Sequence, residues 1–97
     1  MQLELPLLIE VIKVVDPNVR ACKIQGAIIG RMATKYGNEN LIFIEKNTEL
    51  DLDFLKKYKI RSYPTLMFFL NKKLKKQISG ILPTPEILTL IKEIQYL

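Results

Sequence analysis

Side chains able to do covalent chemistry are few in this sequence: there is one cysteine, Cys22, and no histidine. A cysteine reacts as its thiolate, a form favoured by a helix N-terminus and by basic neighbours. Arg20, Lys23 and Lys13 would supply that setting if folding brought them close. The competing reading of Cys22 is a small buried hydrophobe, which free cysteine commonly is. One thiol cannot close an internal disulfide, and dithiol exchange needs a second thiol to resolve the mixed disulfide formed by the first. One cysteine without histidine falls short of a zinc site. Without histidine there is no base for a serine triad, and four scattered glycines form no phosphate loop. No metal and no cofactor are expected.

The formal charge of +5 raises the question of an acidic partner, and its distribution bears on the answer. Residues 56–76 carry Lys56, Lys57, Lys59, Arg61, Lys72, Lys73, Lys75 and Lys76 without an acid, whereas residues 39–53 hold five acids against Lys46. Lysines 72, 73, 75 and 76 have a plain role on an edge strand, where they discourage pairing with other chains. A nucleic-acid surface would add stacking aromatics, and none lies between Leu70 and Lys76, so nucleic acid is not the expected partner. No apolar run is long enough to span a membrane, and the first six residues lack the basic start of a secretory signal. With packing alone to stabilise it, the protein is expected to be cytoplasmic.

The elements that must position these groups follow from periodicity. Residues 7–15 are β-branched and almost continuously apolar, as suits a buried parallel strand. Asp16-Pro17-Asn18 stops it, and Asp16 or Asn18 is expected to cap a helix running to about Lys35. That helix would bury Ala21, Ile24, Ile28 and Met32, joined by Cys22, Ile29, Ala33 and Tyr36. Its Gly26 and Gly30 suggest close approach to the sheet, and Gly37-Asn38 suggests a left-handed end. Residues 41–44 predict a second strand. Thr48, with Asp51 three residues on, predicts the start of a short helix with Leu52, Leu55 and Tyr58 inward. Residues 65–70 and 74–78 predict a hairpin turning at Asn71-Lys72. Thr84-Pro85-Glu86 opens a last helix, with Thr84 as cap and Ile87, Leu88, Leu90, Ile91 and Ile94 inward. The order is strand, helix, strand, helix, strand, strand, helix in one α/β domain over residues 1–97, its parallel and antiparallel halves sharing one sheet.

The stretch Lys57-Tyr58-Lys59-Ile60-Arg61-Ser62-Tyr63-Pro64-Thr65, the apolar strand after it and Gly80 before the last helix resemble the thioredoxin family. Tyr36, fourteen residues after Cys22, matches the family's spacing from its second active-site cysteine to the aromatic ending the same helix. The resemblance implies a minimal thioredoxin-like fold: a four-stranded mixed sheet with helices on both faces, without the extra N-terminal strand and helix of full-length members. It also implies a cis bond before Pro64 rather than a proline that merely opens a strand, and a groove at Ser62, Tyr63, Pro64 and Thr65 where an extended peptide pairs with the backbone. The active-site loop departs from the family pattern. Asn18, Val19, Arg20, Ala21 and Cys22 stand where the family has Trp-Cys-Gly-Pro-Cys, so Val19 takes the attacking position, Cys22 the resolving one, and Lys13 falls on or near the family's buried aspartate. The expected function is therefore binding of a protein or extended peptide near Pro64. The alternative is a monothiol oxidoreductase using Cys22.

Overall fold

The computed structural model describes residues 7–96; the expectation about a secretory signal in residues 1–6 lies outside them. The chain forms β1 (Ile9–Val15), α1 (Arg20–Tyr36), β2 (Leu41–Asn47), α2 (Leu52–Lys57), β3 (Thr65–Leu70), β4 (Lys73–Ser79) and α3 (Thr84–Ile94). The sheet order is β2-β1-β3-β4. β1 runs parallel to β2 and antiparallel to β3, and β3 pairs antiparallel with β4. This is the mixed four-stranded sheet, with helices on both faces, that the resemblance implies.

Strand alternation sends the side chains of the central strands into two cores. Ile9, Val11, Leu66 and Phe68 meet Ile29, Met32, Ile87, Ile91 and Ile94 from α1 and α3. Ile12, Val14, Met67 and Phe69 meet Leu55 and Ile60 on the other face. β1 and β3 have neighbours on both sides and layers above and below, so nearly continuous apolar runs were the only composition compatible with their place. β4 is an edge strand, and Lys73, Lys75 and Lys76 lie along it. The hairpin turn places both Asn71 and Lys72 at positive φ, 48° and 73°. Asn71 also ties the turn to the start of β1, donating its N–H to the Leu8 carbonyl and accepting the Leu8 N–H on Oδ1, each at 2.8 Å. Lys72 turns back to Glu10, Nζ to Oε2 3.2 Å, so it neutralises a buried carboxylate instead of guarding the edge.

Several local expectations are corrected. Neither Asp16 nor Asn18 caps α1: Val19 is the N-cap residue with no side-chain hydrogen bond, and Asp16 Oδ1 accepts the Asn18 N–H in a turn of its own. The buried stripe of α1 is Cys22, Gln25, Ile29 and Met32, and Ile24 is exposed. The stripe includes Gln25, whose side-chain amide hydrogen-bonds the Leu82 backbone. Gly30 approaches nothing; a Cβ at Gly26 would come 3.2 Å from Lys13 Nζ. Gly37 is extended rather than left-handed, at φ −63° and ψ 138°, and it excludes a side chain because a Cβ there would collide with the Ala33 carbonyl oxygen.

Thr48 does not cap α2. Asp51 is the N-cap residue, without a side-chain cap bond; its Oδ2 accepts the Asn47 N–H, and Asn47 Oδ1 accepts the N–H groups of Glu49 and Leu50 in the turn that precedes the helix. Starting the helix later exposes Leu52 and turns Phe54 towards the core beside Leu55 and Tyr58. Phe54 and Tyr58 stack with ring centroids 4.8 Å apart. In α3, Pro83 is the N-cap residue and Thr84 is already helical, so the helix begins one residue earlier than expected.

Candidate functional site

Parallel pairing of β1 with β2, and antiparallel pairing of β1 with β3, bring three loops to one end of the sheet. Val14 lies opposite Thr65, and the Thr48 N–H donates to the Val15 carbonyl at 3.1 Å. Residues 16–19, residues 48–51 and residues 61–64 therefore share that end. Thr65 Oγ1 donates to the Ser62 carbonyl at 2.7 Å, and the Gly80 N–H donates to the Pro64 carbonyl at 2.8 Å. These two bonds fix the segment from both sides. The Tyr63-Pro64 peptide bond is cis. Tyr63 is half-buried, with its ring against the α2-side core, and its own N–H and C=O make no hydrogen bond with any described residue.

The structure puts Asn18, Val19, Arg20 and Ala21 at the start of α1, with Asn18 and Arg20 exposed and Val19 and Ala21 half-buried. Cys22, in the first turn, is only 5% exposed, and its sulfur accepts the Asp16 N–H at 3.4 Å. Cys22 lines a cavity of about 320 Å³ together with Lys13, Val15, Pro17, Lys23, Gly26 and Glu45, and none of residues 62–65 takes part in it. Within it, Lys13 Nζ and Glu45 Oε1 are 2.9 Å apart. Glu45 is directly across the ladder from Lys13, so both side chains project under α1 from adjacent strands.

Two participants were not anticipated from sequence. Glu45 belongs to β2, which extends three residues beyond the expected four, to Asn47. Gln25 is fully buried, and its side-chain amide faces the backbone of Leu82 57 residues away. The signal for Gln25 was its place between Cys22 and Ile29 at helical spacing, which puts a polar residue on the buried face. Among the described residues no group of three or more potential metal ligands comes together, and no helix is long and apolar enough to cross a membrane.

The family model for thioredoxin matches residues 10–93. The chain belongs to the thioredoxin family. Solved structures agree on the fold. A thioredoxin-2 described as a component of the malaria parasite protein secretion machinery superposes with a TM-score of 0.82 at 16% identity, covering 95% of this chain and 88% of that one. A second malarial protein gives 0.80 at 17% identity, covering 89% and 96%. No curated protein matches the sequence. In this chain Val19 stands three positions before Cys22, and Cys22 is the single cysteine, so no dithiol pair can form within it.

Proposed function

We propose that this thioredoxin-family chain is a protein- or peptide-binding module whose groove runs along Ser62, Tyr63, Pro64 and Thr65. The observation that carries the reading is the backbone of Tyr63. Its N–H and C=O have no partner among the described residues, while Thr65 Oγ1 and the Gly80 N–H anchor the segment on either side. A backbone donor and acceptor held open at a fixed position is what an extended polypeptide needs in order to pair as an added strand. Side-chain pockets beside that strand would supply the preference, and the half-buried Tyr63 ring offers an aromatic contact. The degenerate loop of Asn18, Val19, Arg20 and Ala21 would then contribute surface rather than chemistry.

The second reading, a monothiol oxidoreductase, is favoured by the Asp16 N–H aimed at the Cys22 sulfur and by Lys13 and Lys23 lining the same cavity. In that reaction the Cys22 thiolate would attack a substrate disulfide and expel one thiolate. A glutathione thiolate would then attack the Cys22 sulfur of the mixed disulfide and expel the second substrate thiolate, and a second glutathione would free the Cys22 thiolate and leave as glutathione disulfide. Titration with a chromogenic disulfide reagent separates the two readings. The binding module predicts that Cys22 reacts only in denaturant, because burial denies the reagent access. Rapid reaction of the native chain at neutral pH would overturn it in favour of the monothiol enzyme.

A further inference from the structure

A glutamine with no exposed surface needs a reason, because an apolar side chain of the same volume would fill the space without losing hydration. Gln25 satisfies both ends of its amide on one residue. Its Nε2 donates to the Leu82 carbonyl at 3.1 Å, and its Oε1 accepts the Leu82 N–H at 2.7 Å. Leu82 lies two residues after Gly80, whose N–H holds the Pro64 carbonyl and whose φ of 92° lets the chain leave β4 sharply. Between these two anchors stands Ile81, an exposed isoleucine that belongs to neither core.

We infer that Gln25 is the positioning residue of the groove: its amide clamps Leu82 so that Ile81 is held beside Pro64 as an apolar contact for an extended polypeptide lying along Tyr63. The inference rests on the groove reading above. It gives α1 a function independent of Cys22, because the helix carries the clamp one turn beyond the thiol. It also gives the ligand a chemical class, an extended chain with an apolar side chain directed at Ile81 from a backbone paired to Tyr63. Fixing the wall before binding spares the ligand the ordering cost of residues 80–82.

The probe is the oxidised B chain of insulin, an unfolded polypeptide with no free thiol, titrated into the full chain while the Tyr63 and Thr65 amide resonances are followed. Gln25→Met keeps the volume and removes both hydrogen bonds. It should weaken binding about three- to tenfold, by depopulating the competent loop. It should also speed hydrogen exchange at the Leu82 and Gly80 amides while Leu66, in the core of β3, stays protected. Ile29→Val, a core change on the same helix that leaves the clamp intact, should keep affinity within about twofold of native. Ile81→Ala changes an exposed side chain, so it carries the test even if Gln25→Met fails to fold, and it should weaken binding about threefold or more. Native affinity in either Gln25→Met or Ile81→Ala, or an equal loss in Ile29→Val, would overturn the inference. A native chain whose Tyr63 resonances do not respond to the probe would refute the groove itself, and is distinguishable from binding that survives Gln25→Met.

Discussion

Replacing Glu45 with glutamine strips the counter-charge from a lysine that is nearly out of water. The side chain of Lys13 is 13% exposed beneath α1, whereas that of Glu45 is 51% exposed. At 2.9 Å their attraction is about 6 kcal/mol for an effective dielectric near 20, before the cost of drying Lys13 is set against it. Because Glu45 keeps half its access to solvent, the net loss in Glu45→Gln should be roughly 1–2 kcal/mol, below the range for breaking a fully buried pair. Lys13→Met removes the buried charge together with its need for a partner. Glu45 can then hydrate, so stability should stay within about 0.5 kcal/mol of native or rise slightly. Urea unfolding at neutral pH reads both values from the midpoints at constant slope, and Glu45→Gln should also lower Tm by roughly 5–10 °C. In the double variant the cost of losing Glu45 should vanish. The reasoning is refuted if Glu45→Gln is neutral while Lys13→Met costs about 2 kcal/mol or more, since Lys13 would then contribute by packing and not as a charge requiring compensation.

The two glycines of opposite setting should respond oppositely. Gly30→Ala, with open space at its Cβ in the interior of α1, should stabilise by about 0.5–1 kcal/mol, and Gly37→Ala should destabilise by about 1–3 kcal/mol through collision with the Ala33 carbonyl, both read by thermal unfolding. Val19→Cys should form a disulfide with Cys22 under mild oxidation, because residues three apart at a helix start are neighbours within bridging range; persistent free thiols on mass analysis would contradict the placement of Val19 in the attacking position. Asn71→Ala should cost about 1–2 kcal/mol in urea unfolding, since it loses the Leu8 hydrogen bond and strains a positive φ.

The strands were legible where burial dictated composition. β1 and β3 are enclosed on both faces, so their apolar runs mark them almost to the residue, and Asn71 advertised a left-handed turn that the hairpin uses. Caps were less legible, because short polar residues cluster ahead of α2: the Asn47 and Asp51 side chains bond backbone amides within residues 47–51, and α2 begins after Asp51 with no side-chain cap. The candidate groove could be read through its resemblance to a known family, since residues 57–65 are contiguous. The clamp and the ion pair could not. Gln25 meets Leu82 and Lys13 meets Glu45 only through packing of distant segments, and a polar residue at a buried helical position signals a partner without saying where in the chain it lies.

The central claim is that this chain binds polypeptide near Pro64 without thiol chemistry, and the affinity of a Cys22→Ala variant for the oxidised insulin B chain tests it most directly. Cys22 lines a cavity that includes none of the groove residues, so the variant should bind within about twofold of the native chain. Loss of binding on removal of that one sulfur would contradict the account.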